Sequence, residues 1–314
     1  MGRKFLLHMA VTLVIAVLCS TAYYYFVCSS LRHTREFFPG RLNCILYDTT
    51  RYDAVFMGTS KASNGIDPLI FDSLTHLHSY NAGMEGASYT AIGLFTRRFV
   101  ANHHPRYVFI NLDTYTLEQE NSLYDFPQYY PHLRDSDIAI LSKRKVELAL
   151  GRYAPFIAVS YIDDYLKGVA LDDWLDIYPA DDLTYSHRGF SPVSTMAYHG
   201  TSADFPLTFS YDTANFKKLD ALCRYCTDRH CEVFFTMAPI YRAFDNGKTN
   251  SGTFYTKLRA LESQYHIQEL NFYLDNRFTK AMYANRTHLN HRGAVLYSHL
   301  LGDSFVHLYP PTKH

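Results

Sequence analysis

Apolar residues occur in one long N-terminal run and in several short runs separated by helical patterns. The long run, Phe5–Val27, contains no Asp, Glu, Lys or Arg. As a helix it would span roughly 34 Å, enough to cross a bilayer. Arg3 and Lys4 precede it, and Tyr23–Tyr25 lie near its far end, where aromatic side chains favour the headgroup layer. The pattern predicts a transmembrane helix within residues 1–27.

The sequence leaves two properties of this helix open, its cleavage and its orientation. A cleaved signal peptide is the alternative interpretation, but no small-x-small cleavage site follows the apolar run, which favours a retained signal anchor. Basic residues flank the run on both sides, so their count does not decide the orientation. The short basic N-terminus is the usual cytoplasmic end. We therefore expect the remaining domain on the extracytoplasmic side of a single-pass membrane protein.

Five short apolar runs, bounded by turn or polar residues, predict the strands of a parallel sheet. They are Asp53–Gly58, His78–Gly83, Tyr107–Asp113, Glu232–Met237 and Ile267–Phe272. Helical patterns lie between and after them: a short helix from Asp67-Pro68, then Ala87–Val100, Tyr211–His230, Ser251–Tyr265 and Asn290–Leu301, the last with Gly302 as its stop. This alternation predicts an α/β fold built on a doubly wound parallel sheet.

The remaining domain, residues 51–314, follows a predicted stem at residues 28–50. Residues 114–210 interrupt the alternation and contain two helical patterns, Ile138–Leu150 and Tyr161–Leu175. We interpret this insertion as a cap over the carboxyl edge of the sheet. Its aromatic cluster is either part of its own core or a carbohydrate-facing surface. The cluster consists of Tyr124, Phe126, Tyr129 and Tyr130.

Composition narrows the classes of function. The chain has 30 basic and 30 acidic residues, a formal net charge of zero, and no basic block that would indicate nucleic-acid binding. Three of its six cysteines, Cys223, Cys226 and Cys231, are close in sequence, but no second ligand pair follows at zinc-site spacing. Core thiols or one disulfide are the favoured interpretation, and the sequence indicates no cofactor and no metal.

Polar residues follow the predicted strands at the carboxyl edge of the sheet, where open α/β folds carry their sites. A serine and a histidine at one edge indicate nucleophilic catalysis, because serine is a weak nucleophile until a base removes its proton. Backbone N–H groups near Ser60 and Gly83 would be placed to hold an oxyanion. The candidate residues are Ser60, Asn81, Gly83, Asn111, Asp113 and His288.

Three segments resemble motifs of the SGNH/GDSL hydrolases: Phe56–Ser60, Tyr80–Gly86 and His288–Ala294. The likeness is greatest to the membrane-tethered, extracytoplasmic branch, which includes proteins of alginate O-acetylation and teichoic-acid D-alanylation. The resemblance implies a flavodoxin-like three-layer fold. It also implies a serine esterase or acyltransferase that acts on acyl esters of cell-envelope or exported polysaccharide.

The same resemblance implies roles for individual residues. Ser60 would be the nucleophile, His288 the base and Gly83 an oxyanion donor, with Asn81 and Asp113 as further candidates for the pocket. The family usually has Asp three residues before the histidine, whereas this chain has Asn285. An Asn oxygen can accept from the imidazole Nδ1–H, but it supplies no negative charge and can hold the wrong tautomer. The family's third motif, Gly-x-Asn-Asp, is absent.

Two functional classes remain open from the sequence. The first is a membrane-anchored esterase or acyltransferase. The second is a non-catalytic SGNH-like module that binds glycan or a partner protein, and Asn285 favours this class more than an Asp would. In both cases the expected partners are the membrane, cell-surface polysaccharide and other membrane proteins.

Overall fold

The computed structural model describes residues 2–35, 37–112, 126–133, 135–141, 145–177, 188–193, 197, 213–241 and 251–310. Its helices are α1 Gly2–Leu31, α2 Phe37–Tyr47, α3 Ser60–Ser63, α4 Pro68–Thr75, α5 Tyr89–His103, α6 Ser136–Leu141, α7 Lys145–Tyr153, α8 Pro155–Ala158, α9 Asp164–Leu175, α10 Thr213–Thr227, α11 Ser251–Tyr265 and α12 His291–Leu308. Three 3-10 helices span Phe126–His132, Val159–Tyr161 and Lys280–Met282.

Five parallel strands form one sheet in the order β2-β1-β3-β4-β5. They are β1 Ala54–Met57, β2 Ser79–Asn81, β3 Tyr107–Asn111, β4 Glu232–Met237 and β5 Gln268–Asn271. This is the strand order of flavodoxin-like doubly wound sheets. The predicted α/β fold with a doubly wound parallel sheet is therefore confirmed.

Aromatic side chains join the sheet to the helices on its faces. Phe109 in β3 lies 5.5 Å from Phe71 of α4 and 5.8 Å from Phe305 of α12, measured between ring centroids. Tyr80 of β2 stacks on Phe99 of α5 at 5.8 Å. Burying such rings removes a large apolar area from water and stabilises the layered arrangement by several kcal/mol, at roughly 1.5–3 kcal/mol per ring.

Contacts divide the chain into two compact units. The N-terminal unit comprises residues 1–43 and 125–181, and the sheet unit comprises residues 44–124 and 182–314. The sequence predicts residues 114–210 as one insertion into domain 51–314. In the structure residues 125–181 group instead with α1, because α8 and α9 pack along that helix.

The N-terminal unit is built around α1. Among the described residues, α1 is the one helix long and apolar enough to cross a membrane. Its side chains are nearly all exposed from Phe5 to Leu18, whereas Tyr24, Val27 and Leu31 are buried. The helix continues beyond the predicted end at Val27, and the segment predicted as a stem also contains α2. Tyr129 and Tyr130, from the predicted aromatic cluster, are buried in this unit, and Tyr124 lies outside the described residues.

The last helix corrects the predicted role of Gly302. Helix α12 does not stop there but runs on to Leu308, with Gly302 buried in its interior. A Cβ at Gly302 would lie 2.8 Å from Leu74 Cδ1 of α4. The glycine therefore permits the close packing of two helices and does not terminate one.

The three clustered cysteines are free and buried in the sheet unit. Burial raises the pKa of Cys231 to about 11, so this thiol stays protonated at neutral pH. Cys223, Cys226 and Cys231 are thus core thiols, one of the two favoured interpretations.

Candidate active site

Ser60 is positioned by a tight turn between β1 and α3. The strand ends at Met57, Thr59 is the N-cap of α3, and Ser60 is the first residue of that helix. A Cβ at Gly58 would lie 2.8 Å from Asn111 Cβ and 3.0 Å from Ala62 Cβ, so only glycine fits between β3 and α3. The turn presents the half-buried Ser60 hydroxyl at the carboxyl edge of the sheet.

His288 lies on a loop that is closed by backbone pairing. Tyr283 and Leu289 form an antiparallel bridge, and the Asn290 N–H donates to Met282 O at 3.0 Å. The Asn290 side chain donates to Ala281 O at 2.8 Å and accepts from Gly293 N at 3.0 Å. Asn290 therefore holds the loop and caps α12, which fixes the imidazole in place.

Ser60 and His288 meet in the structure. His288 Nε2 lies 2.7 Å from Ser60 Oγ, although the two residues are 228 positions apart. The predicted juxtaposition within about 3 Å is therefore confirmed. Both side chains are half-buried, so a substrate can reach them while part of the surrounding water is excluded.

Asn285 lies on the far side of the imidazole, as predicted. Its Oδ1 is 3.0 Å from His288 Nδ1 and accepts from the backbone N–H groups of Thr287 at 3.0 Å and His288 at 2.9 Å. Only an oxygen can accept from two N–H donors, so the amide is oriented with its oxygen toward the ring. Nδ1 then carries the proton, and Nε2 is free to accept from Ser60.

Thr287 is a contact residue that the sequence analysis did not single out. Its Oγ1 lies 3.1 Å from His288 Nδ1 and donates to Asn285 Oδ1 at 3.3 Å. The signal available in the sequence was a hydroxyl residue directly before the histidine. The Thr287 hydroxyl is a second polar group, beside Asn285 Oδ1, at His288 Nδ1.

Asn81 and Gly83 form hydrogen bonds inside the protein. The buried Asn81 amide donates to Ala62 O at 2.7 Å and to Ile66 O at 2.6 Å. Its Oδ1 accepts from the Gly83 N–H at 3.0 Å. The Gly83 N–H is therefore engaged inside the protein, and the pair braces α3 below Ser60. The bonds shown for Asn81 and Gly83 thus lie inside the protein, and their placement in the oxyanion pocket stays a prediction.

The oxyanion donor that the structure leaves available is the Ser60 backbone N–H. Within the described part of the chain, no hydrogen bond uses it. Asn111, at the end of β3, is buried and donates its amide to Thr236 Oγ1 at 3.1 Å, so it too acts inside the protein. Asp113 lies outside the described residues.

A small cleft opens beside the Ser60–His288 pair. It has a volume of about 10 Å³ and is lined by both residues together with Asn64, Pro239 and Leu289. This is about the room that one water molecule needs. The described walls of the cleft thus accommodate a group of methyl size next to the reacting atoms.

Comparison with known proteins gives no family assignment, since no protein-family model and no curated protein matches the chain. Similar solved structures include a provisionally assigned acylhydrolase from Bacteroides fragilis, with 12% identity, coverage of 81% of this chain and 86% of that chain, and a TM-score of 0.41.

Two further structures are similar at the same level. A provisionally assigned lipolytic protein of the G-D-S-L family from Desulfitobacterium hafniense has 9% identity, coverage of 80% and 97%, and a TM-score of 0.40. A GDSL-like lipase from Bacteroides thetaiotaomicron has 11% identity, coverage of 81% and 88%, and a TM-score of 0.40. TM-scores of this size carry no weight for function, which must come from the geometry of the site.

Proposed function

We propose that the chain is a serine esterase or acyltransferase whose nucleophile is Ser60 and whose base is His288. The observation that carries this proposal is the 2.7 Å separation of Ser60 Oγ and His288 Nε2, with Asn285 Oδ1 on the opposite ring nitrogen. A histidine held between a hydroxyl and an oriented acceptor is the arrangement that activates serine.

The reaction follows from these contacts. His288 Nε2 takes the Ser60 proton as Oγ attacks the ester carbonyl, and the Ser60 N–H donates to the oxygen that becomes negative. Collapse of the tetrahedral intermediate returns the proton to the leaving alcohol and leaves an acyl group on Ser60. Water, or the hydroxyl of an acceptor, then reverses the sequence and removes the acyl group, which gives hydrolysis or transfer respectively.

Asn285 contacts His288 where a catalytic triad has a carboxylate, but the Asn285 amide carries no negative charge. Its oxygen keeps the productive tautomer of His288, but a neutral amide stabilises the imidazolium less than a carboxylate would. We therefore expect a slow enzyme on simple esters.

The small cleft supports a short acyl group as the substrate. The described walls of the cleft leave about 10 Å³ beside Ser60, which is room for an acetyl methyl. Together with the resemblance to the membrane-tethered SGNH branch and with the apolar helix α1, this supports acyl esters of cell-envelope or exported polysaccharide. We propose that α1 anchors the chain in the membrane with the sheet unit outside the cytoplasm.

The test is covalent labelling by a fluorophosphonate, which reacts with activated serines. The native chain should be labelled at Ser60, and Ser60→Ala should not be labelled. Ser73→Ala is the matched control, because Ser73 is exposed on α4 and its hydroxyl donates to Ile70 O of the same helix. Failure to label the folded native chain would overturn the proposal.

The second candidate is a non-catalytic module that binds glycan or a partner protein, and the observation favouring it is the missing carboxylate at Asn285. It predicts no labelling and no turnover for any variant. It also predicts saturable binding of an acetylated polysaccharide that survives Ser60→Ala.

A further inference from the structure

The N-terminal unit contains a large cavity at the level where α1 ceases to be exposed. The cavity has a volume of about 540 Å³, within the usual range of small-molecule sites. Its lining includes Tyr24, Ser29 and Arg32 of α1, Tyr130, and Arg152 of α7. Two arginine side chains thus line one space, and none of the described residues that line it is acidic.

Both arginines are held in place by the same short segment. Arg32 Nε donates to Pro131 O at 2.5 Å, and Arg152 Nη2 donates to Leu133 O at 2.9 Å. A guanidinium has five N–H donors, so each group keeps most of them for a ligand. Among the described residues, neither arginine forms an ion pair with a carboxylate. The arrangement suits an anion with several acceptor oxygens, such as a phosphate.

The cavity lies level with the end of the apolar helix. The Tyr24 hydroxyl donates to Gly151 O at 3.2 Å, and the Phe26 ring contacts Trp174 of α9 at 5.8 Å between centroids. Trp174 is 65% exposed and Tyr153 is 82% exposed, so large aromatic side chains face outward at this level. Exposed Trp and Tyr beside the end of an apolar helix are typical of the membrane–water interface.

We propose that this cavity binds the phosphate of an anionic phospholipid headgroup, with Arg32 and Arg152 as the ligating residues. The inference rests on the proposal that α1 crosses the membrane, because the exposed apolar side chains from Phe5 to Leu18 would then lie beside the acyl chains of the same lipid. The site would fix the depth and rotation of the N-terminal unit in the bilayer. It is independent of the chemistry proposed for Ser60.

The test uses the full chain in nanodiscs that contain phosphatidylglycerol and phosphatidylcholine in equal amounts. After detergent extraction, mass spectrometry measures which lipid stays bound. The native chain should retain phosphatidylglycerol about twenty-five-fold over phosphatidylcholine, since each of the two arginines contributes a factor of about five. The double variant Arg32→Gln, Arg152→Gln should lose this preference.

Arg35→Gln is the matched control, because it removes one exposed charge near the same end of α1 but does not line the cavity. Arg35→Gln should retain phosphatidylglycerol over phosphatidylcholine with the same preference as the native chain. A preference that survives in the double variant, or is absent from the native chain, would overturn the proposal. Equal competition by soluble glycerol phosphate would overturn it as well, because the ligand would then be a free anion.

Membrane anchoring is scored separately, by recovery of each variant in the membrane fraction after alkaline washing. Both arginine variants should remain there, because α1 is unchanged. Loss of the native chain from this fraction would contradict the anchoring proposal itself, whereas retention without lipid preference contradicts only the headgroup site. Thermal unfolding of each variant verifies that the N-terminal unit is still folded.

Discussion

The Asn285 side chain determines which nitrogen of His288 carries the proton. The backbone N–H groups of Thr287 and His288 donate to its oxygen, and that oxygen lies 3.0 Å from Nδ1. In a triad where Asn replaces Asp without such an anchor, the amide can turn its NH₂ toward the ring and block the base, at a cost on the order of 10⁴ in rate. Here the tautomer is preserved, and only the charge is missing.

Restoring the charge should therefore raise activity. We expect Asn285→Asp to increase kcat/KM on an acetyl ester by roughly tenfold to a hundredfold, because the carboxylate keeps the Asn285 contacts and stabilises the imidazolium. The measurement is the release of nitrophenol from nitrophenyl acetate. Asn276→Asp, an exposed site in the same unit, is the control for added charge and should change little.

A fall in activity with Asn285→Asp would mean that a neutral partner is required for the native reaction. Asn285→Leu separates the two effects, since it removes the acceptor without adding charge. It should lower kcat more than KM, because the contact orients the base and does not bind substrate.

At the scale of elements, the turn between β1 and α3 is fixed by Gly58. Gly58→Ala forces a methyl against Asn111 Cβ and Ala62 Cβ and should displace Ser60. We expect a loss of activity on the order of a hundredfold, because a misplacement of about 1 Å has that effect on an oriented nucleophile. Fluorophosphonate labelling rates measure the displacement directly.

Gly93→Ala is the comparison variant, since a Cβ at Gly93 of α5 meets nothing within 4 Å. It should leave activity unchanged and stabilise the chain by about 0.5–1 kcal/mol through helix propensity. Equal activity in Gly58→Ala and Gly93→Ala would show that the turn does not position the nucleophile.

The 3-10 helix Phe126–His132 should be sensitive to acid. Burial, and the nearby charge of Arg32, lower the pKa of His132 to about 3. In the unfolded chain the histidine binds a proton near pH 6.5, so stability is complete above about pH 6.5 and falls as the pH decreases toward 3. The loss is about 1.4 kcal/mol per pH unit in this window.

Hydrogen exchange of residues 126–133 between pH 4 and 7, corrected for intrinsic exchange rates, measures this effect. His132→Gln remains neutral throughout and should have a flatter pH dependence. An unchanged slope in the variant would assign the acid sensitivity to other groups.

The elements that the sequence predicted well are those with a local signal. Glu232–Met237 and Ser251–Tyr265 were predicted with the bounds that the structure has, because an apolar strand and an amphipathic helix are visible within their own residues. Gly302 was misread as a helix stop, since its role depends on Leu74, which is distant in sequence. The grouping of residues 125–181 with α1 likewise depends on packing between distant segments.

The residues of the candidate site also differ in whether the sequence could predict their roles. Ser60 and His288 could be predicted because residues after parallel strands converge at one edge of the sheet. The role of Asn81 could not, since a buried amide bonds whichever backbone groups surround it, here Ala62 O, Ile66 O and the Gly83 N–H. A polar residue at the end of a strand can either stabilise the neighbouring backbone or take part in catalysis. Only its contacts in the folded protein distinguish the two roles.

At the scale of the whole molecule, the predicted topology remains to be tested. With α1 in the membrane and the sheet unit outside the cytoplasm, alkaline phosphatase fused after His314 should be active, because that enzyme folds only after export. A cytoplasmic reporter at the same position should be silent. Strong cytoplasmic reporter activity would contradict the orientation.

The distance along the chain between Ser60 and His288 has a consequence for biosynthesis. A ribosome finishes the nucleophile 228 residues before the base, and Phe305 of α12 covers Phe71 and Phe109 only once residues 291–308 have been made. A nascent chain that ends before residue 288 therefore carries Ser60 without its base. If Ser60 is the nucleophile, its reactivity toward esters can begin only after synthesis has passed the last helix.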